Sequence, residues 1–183
     1  MKTFKIVSIG HPALRKKTKN ITPTLRKAKS FQKFLKNMVK WMRQAHGVGL
    51  AANQVGVDHR ALVMECDGNK RYPKVASVPL QTYLNARIVN YSKNLQKGWE
   101  GCLSIPGFRG IVPRSQSVTF EALTSNGKKV RKTVHGFEAR IIQHEVDHLN
   151  GFFYVDRMTD LKSWTHLDEF NKHFKTKIED RKK

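Results

Sequence analysis

The run Gln143-His144-Glu145-Val146-Asp147-His148 sets two imidazoles four residues apart, with a carboxylate beside the first. Positions i and i+4 share one face of a helix, so His144 and His148 can grip one ion while Glu145 reaches a water bound to it. The spacing predicts a helix over residues 137–149, with Gly151 just past its end. Beside a single histidine, Glu145 would read as a surface carboxylate. Between His144 and His148 it reads as a base.

Two histidines leave a catalytic ion short of a third protein ligand. Downstream, the extended zinc-protease pattern is followed as far as Gly151 and fails at its last position, which is Tyr154 rather than histidine. Asp168 and Glu169 stand further on, where another class of zinc protease carries a carboxylate ligand. Upstream, Glu100-Gly101-Cys102-Leu103-Ser104 holds a cysteine in a glycine-containing segment suited to bringing a thiolate onto a metal. Spacing alone leaves the thiolate and the carboxylates as rivals.

Outward from this centre the chain alternates helical and extended patterns. Thr22-Pro23 reads as an N-cap with proline at the first helical position. One helix should follow, with Leu25, Ala28, Phe31, Leu35, Met38 and Met42 as its apolar stripe and Lys27, Lys29, Lys33, Lys36 and Lys40 mostly off it. Gly47 and Gly49 should end that helix and open a loop where backbone approaches a ligand closely. Residues 60–65 and 86–90 read as strands, separated by a polar loop with Pro73 and Pro79. Residues 117–122 and 129–134 flank Ser125-Asn126-Gly127-Lys128, a hairpin signal because Asn-Gly adopts the positive φ angles of a tight turn. Trp164, Leu167, Phe170, Phe174 and Ile178 mark an amphipathic C-terminal helix whose last turns carry Lys175, Lys177, Arg181, Lys182 and Lys183. The sum is an α+β domain with antiparallel strands packed around a central metal-bearing helix, plus an N-terminal and a C-terminal helix. It is expected as a single domain over 1–183, with a basic helical tail from about residue 160.

A chain of 183 residues buries roughly 70% of its unfolded surface and needs no disulfide staple. Cys66, at a strand end, reads as a small buried side chain; a metal thiolate at Cys102 would keep the two cysteines unpaired and favours a reducing compartment. The opening Met1-Lys2-Thr3-Phe4-Lys5-Ile6-Val7 lacks the apolar core of a signal peptide, and no apolar run approaches the roughly 18 residues of a membrane span. The net charge of +21 is unevenly placed: residues 1 to 57 hold thirteen Lys or Arg and no acid. Such a region is either a solvated basic surface or a docking face for a polyanion.

Three motifs taken together resemble the peptide deformylase family. They are Gly47-Val48-Gly49-Leu50-Ala51-Ala52-Asn53-Gln54, then Glu100-Gly101-Cys102-Leu103-Ser104, then Gln143-His144-Glu145-Val146-Asp147-His148-Leu149-Asn150-Gly151. A lone His-Glu-x-x-His is only moderately specific, whereas the ordered set is very specific. The resemblance runs from Ile6 to about Met158, so the basic N-terminus reads as folded chain rather than a transit segment. The stretch from Pro106 to Arg114 is similar to organellar-type members. The family implies a metal-dependent hydrolase that removes the formyl group from N-formylmethionyl nascent peptides and releases formate.

The resemblance implies Cys102, His144 and His148 as ligands of one divalent ion, Fe(II), with Zn(II), Ni(II) and Co(II) suited to the same donors. Glu145 is then the proton carrier, and Gln54 with the Leu103 backbone N–H meets the developing oxyanion. The Gly47-Val48-Gly49 and Gly101-Cys102-Leu103 segments form two sides of a slot into which a peptide adds as a strand. By resemblance Val48, Phe137 and Ile141 line a methionine pocket, with the stem of Arg140 at a position often apolar in the family. Glu100 and Arg114 can pair to brace the cysteine loop, and Asp147 orients rather than ligates. His11, His46, His59, His135, His166 and His173 lack a partner at ligand spacing. The implied setting is the cytoplasm or an organellar matrix or stroma, with contact to the ribosome through the basic surface, no membrane and no sequence-specific DNA. Two rivals remain: a zinc endopeptidase built on the same helix, and a basic ribosome- or RNA-binding module with an inactive site.

Overall fold

A computed structural model of the chain describes residues 5–66 and 77–175. Thr22 Oγ1 accepts from the Leu25 N–H at 3.2 Å and Pro23 fills the first turn, so helix α1 (Pro23–Lys27) starts where expected. It does not run on. Ala28 is extended, at φ −65° and ψ 130°, and the chain restarts as α2 (Lys29–Gln44). Gln32 holds this corner, its Nε2 donating to the Arg26 carbonyl at 2.7 Å and to the Ser125 carbonyl at 3.1 Å. The helical periodicity survives the break, which is why one helix was expected. Phe31, Leu35, Met38 and Met42 of α2 are at most 3% exposed.

Past Gly47 the expected loop is shorter than predicted, because Gly49 already opens strand β1 (Gly49–Ala51), and a 3-10 turn follows over Ala52–Val55. Next come β2 (Ala61–Cys66), β3 (Val78–Tyr91), β4 (Leu95–Cys102), β5 (Ile105–Ser115), β6 (Ser117–Thr124) and β7 (Lys129–His135). Helix α3 (Gly136–Leu149), a 3-10 turn at Tyr154–Arg157, β8 (Thr165–His166) and α4 (Leu167–His173) complete the described chain. All pairings are antiparallel, in one sheet of order β1-β2-β3-β6-β7 and a second of order β4-β5-β8. The α+β class expected from the sequence is the observed one.

Helix α3 sits at the centre. Ten of its fourteen residues are buried, which a surface helix with one apolar stripe does not show. Its apolar side, with Ala139, Ile142, Val146 and Leu149, packs on Leu62, Met64, Phe120 and Val118 of the larger sheet. The opposite side of that sheet meets α2 through Ala61, Val63 and Leu84. The long hairpin of β4 and β5 was not foreseen, and it carries Cys102 at the end of its first strand.

The C-terminal helix begins later than expected. Trp164 precedes α4, its ring stacked on Phe108 at 4.5 Å and its Nε1 donating to Tyr154 Oη at 3.1 Å, while Thr165 and His166 pair with β5. Strand pairing therefore claims residues that helical spacing had assigned to the helix. Pro73, Lys177, Ile178, Arg181, Lys182 and Lys183 lie outside the described residues.

Gly151 follows α3 at φ +84°, and a Cβ there would stand 2.6 Å from the Arg15 carbonyl oxygen. Gly56 has a similar φ of +73° with nothing within 4 Å of its Cβ position. Gly56→Ala should cost about 1–2 kcal/mol from backbone strain alone, and Gly151→Ala about 2–4 kcal/mol because backbone must also move. Urea midpoints at unchanged slope check this ordering.

Candidate metal centre

Cys102 arrives from the end of β4, and His144 and His148 from successive turns of α3. One ligand atom from each lies within 4.8 Å of the other two. Cys102 Sγ is 3.1 Å from His148 Nε2. His144 turns its Nδ1 to Glu100 Oε2 at 2.9 Å, which leaves Nε2 to face the cluster. A thiolate and two imidazoles are a donor set for one divalent transition ion. The residues therefore fit a metal.

Buried charge fixes the geometry around these donors. Arg114 grips Glu100 through Nε and Nη2 at 2.9 and 3.0 Å, with both side chains 5% exposed. Its Nη1 reaches Asp147, which Arg157 also pairs, at 2.7 Å from Nη2 to Oδ1. Arg140 Nη1 adds a bond to Glu100 Oε1 at 2.7 Å and Nη2 one to the Gln96 carbonyl at 2.6 Å. Burial opposes the charge on Glu100, yet Arg114 and the His144 hydrogen bond outweigh it and hold the carboxyl far below the usual range.

Glu145 is the contrasting case. It is 4% exposed, its Oε2 has no hydrogen-bond partner, and burial pushes its pKa up to about 7. Gly49 makes the room it occupies, since a Cβ there would come within 2.6 Å of Glu145 Cδ. A buried carboxylate that accepts no bond from the protein and has a titration point near neutrality is suited to carry a proton.

Gln54 is oriented from behind. Its Oε1 accepts from the Ala51 N–H at 2.9 Å, so Nε2 points to Ser104 Oγ at 3.3 Å and Cys102 Sγ at 3.5 Å. Ser104 N–H also donates to Cys102 Sγ at 3.3 Å. Leu103 lies beside Gly47, where a Cβ would come 2.9 Å from its Cδ1. Together Val48, Gly49, Gln54, Gly101, Leu103, Phe137, Arg140 and Ile141 line one cavity with Cys102, His144 and Glu145. His148 lies behind it, fully buried.

Asp168 and Glu169 stand in the first turn of α4, exposed, with Glu169 paired to Lys172 at 2.7 Å. They do not join the cluster. Tyr154 stacks on His144 at 6.3 Å as a buried wall. Sequence reasoning missed Trp99, which lines the cavity, and Asn53, whose Nδ2 donates to the His148 carbonyl. The signal for Trp99 was adjacency to Glu100, and for Asn53 its place in the motif that ends at Gln54.

The polypeptide deformylase family profile matches residues 3–164. A peptide deformylase of Leptospira biflexa is 37% identical over 172 residues, covering 93% of this chain and 96% of its own. The Met-Ala-Ser-bound crystal structure of the class I type b peptide deformylase from Acinetobacter baumannii aligns at TM-score 0.82 and 33% identity, over 85% of this chain and 98% of that one. The peptide deformylase structure from Thermotoga maritima aligns at TM-score 0.76 and 31% identity, over 87% and 100%.

Arg114→Ala would leave Glu100 and Asp147 buried with fewer cations, at an expected cost of about 3–5 kcal/mol. Glu100→Gln should keep the fold but weaken metal retention about 10–100-fold by freeing the His144 ring. Competition with a chelator measures the second effect, and undiminished retention would refute the orienting role of Glu100.

Proposed function

This chain belongs to the polypeptide deformylase family, and from that premise we propose how its residues divide the work of hydrolysing a formamide. The enzyme removes the N-formyl group from the first methionine of newly made polypeptides. The observation that carries the assignment of roles is the unpartnered Glu145 Oε2 beside the Cys102, His144 and His148 donors.

Those three residues would hold the ion, which when bound supplies Lewis acidity, acidifying a water and polarising a carbonyl oxygen. Glu145 takes the proton of the attacking water and returns it to the departing amide nitrogen. A carbon–oxygen bond forms and the carbon–nitrogen bond breaks, giving formate and a free amine. Gln54 Nε2 and the Leu103 N–H donate to the oxygen that gains charge. Gln54 is suited to this because Ala51 fixes its amide and no reorganisation is needed as charge develops.

Val48, Gly49 and Gly101 offer backbone on the two sides of the slot, so that a peptide binds by main-chain bonds and many sequences are accepted. Phe137, Ile141 and the stem of Arg140 receive the methionine side chain. The Arg140 guanidinium is occupied by Glu100 and backbone carbonyls, which supports a role for its methylenes alone. The Met-Ala-Ser bound by the Acinetobacter relative supports a slot for a short extended peptide.

The ion is Fe(II), in keeping with a mixed thiolate and imidazole set, and Zn(II), Ni(II) or Co(II) would fit the same donors. The chain works as one catalytic domain in a reducing compartment, the cytoplasm, where Cys66 and Cys102 stay free. It meets nascent chains at the ribosome through its basic surface. No helix among the described residues is long and apolar enough to cross a membrane. Exposure of Asp168 and Glu169 disfavours the endopeptidase reading, and the complete catalytic set disfavours an inactive binding module.

After anaerobic purification, metal content and formate release from formyl-Met-Ala-Ser are measured against an internal peptide as control. Glu145→Gln should retain metal and lose about 10²–10⁴ in kcat. Gln54→Ala should lose about 10²–10³ in kcat with metal unchanged. Cys102→Ser should lose metal while Asp168→Asn keeps it. The reverse pattern, or cleavage of the internal peptide, would overturn the assignment.

A further inference from the structure

Helix α2 carries a second pattern that catalysis does not use. Lys29, Lys33, Lys36 and Lys40 recur at steps of four, three and four. At 3.6 residues per turn they fall within about 60° of arc and run along about 16 Å of helix. All four are exposed, on the side opposite the buried Phe31, Leu35, Met38 and Met42.

Like charges at these spacings destabilise a helix, and acids on the same face ordinarily relieve the repulsion. Here none does. The chain has no acid before Asp58, which pairs with Lys19, and the nearby Glu65 is taken by Arg43. None of the four lysines forms an ion pair among the described residues. The basic face also continues beyond the helix. Arg26 Nη1 donates to the Asn126 carbonyl at 2.6 Å and Gln32 Nε2 to the Ser125 carbonyl at 3.1 Å, which pins the β6–β7 turn, with exposed Lys128 and Lys129, against the start of α2.

We propose that this face of α2, extended by Lys128 and Lys129, is a docking surface for the phosphodiester backbone of RNA. A linear row of flexible point charges tracks a row of phosphates, and gains affinity by releasing their counterions. An acidic membrane is the poorer fit. Helices that bind lipid insert their apolar side, and the apolar side of α2 is spent in the core. The helix also points its C-terminal end at the site: Gly47, three residues beyond Gln44, lines the reaction cavity. RNA held on α2 would therefore run toward the lip of the slot. The inference gives the ribosomal association proposed above a specific face and ligand chemistry, and it stands or falls separately from the catalytic assignment.

The test uses the metal-loaded full chain and a fluorescein-labelled RNA hairpin, titrated between about 50 and 200 mM KCl. Replacing Lys29, Lys33, Lys36 and Lys40 together by Gln preserves helix propensity. The salt slope of log affinity should fall by about 3, with affinity weakened at least about thirtyfold at the low-salt end. Formate release from formyl-Met-Ala-Ser should be unchanged. A control replaces four exposed lysines elsewhere, Lys93, Lys97, Lys162 and Lys175, by Gln. Equal weakening in both variants would reduce the effect to net charge and overturn the proposal. So would an unchanged slope in the α2 variant, or phosphatidylserine vesicles binding the wild type as tightly as RNA does. Absence of formate release alongside α2-dependent RNA binding would overturn the catalytic assignment and leave the RNA surface standing.

Discussion

The Glu100 carboxylate, buried and shared among Arg114, Arg140 and His144, joins the two pieces of chain that carry the metal donors. Cys102 belongs to the β4–β5–β8 sheet and the histidines to a helix packed on the other sheet, and among the described residues no strand ladder connects the two sheets. Side chains therefore do much to set the distance between the Cys102 sulfur and the imidazoles. Arg114 runs from Glu100 to Asp147, Arg140 from Glu100 to carbonyls of β4 and β5, and Gln143 bonds the Ser115 backbone from both ends of its amide. Taking these ions out of water costs several kcal/mol each, and only near-complete pairing offsets it. The benefit is positional: a ligand cluster needs its atoms fixed to within a fraction of an ångström.

Two glutamates within one site show how partners decide chemistry. Both Glu100 and Glu145 are at most 4% exposed. Glu100 faces two guanidiniums and an imidazole and is held ionised; Glu145 accepts no bond at Oε2, and burial pushes it up to about 7. The first cannot exchange a proton at ordinary pH, so it serves as a fixed charge. The second can be moved either way by small changes in its surroundings, and a nearby divalent cation would pull it back toward ionisation. Two carboxylates buried to the same depth thus differ here by their neighbours.

Much of this was legible in the sequence because local rules and tertiary demands agreed. The i,i+4 histidines, the Thr22-Pro23 start and the Asn-Gly turn with strands β6 and β7 on either side each fold as the sequence says. The pairing of Glu100 with Arg114 was foreseen; the second carboxylate on Arg114 was not, since no periodicity links residues 33 apart. The α1–α2 corner stayed hidden because a single extended residue, Ala28, leaves the apolar stripe in phase. At the C-terminus Trp164 obeyed a helical period by coincidence, and pairing with β5 overrode it.

The β4–β5 hairpin was missed for a reason that also explains its function. Gly98, Gly101, Gly107 and Gly110, with Pro106 and Pro113, punctuate residues 95–115 and read as successive turns. In the fold, two of these glycines mark close approach within strands. A Cβ on Gly98 would stand 2.9 Å from the Arg140 guanidinium, and one on Gly110 would stand 2.6 Å from Met158 Sδ. Gly98 is the informative one. It lets a guanidinium lie flat against β4 and reach the Gln96 and Val112 carbonyls while still touching Glu100. An alanine there would push Arg140 off the strand and loosen Glu100, and through Glu100 the His144 ring. A residue that obscured the strand in the sequence is thus one on which the orientation of the His144 ring depends.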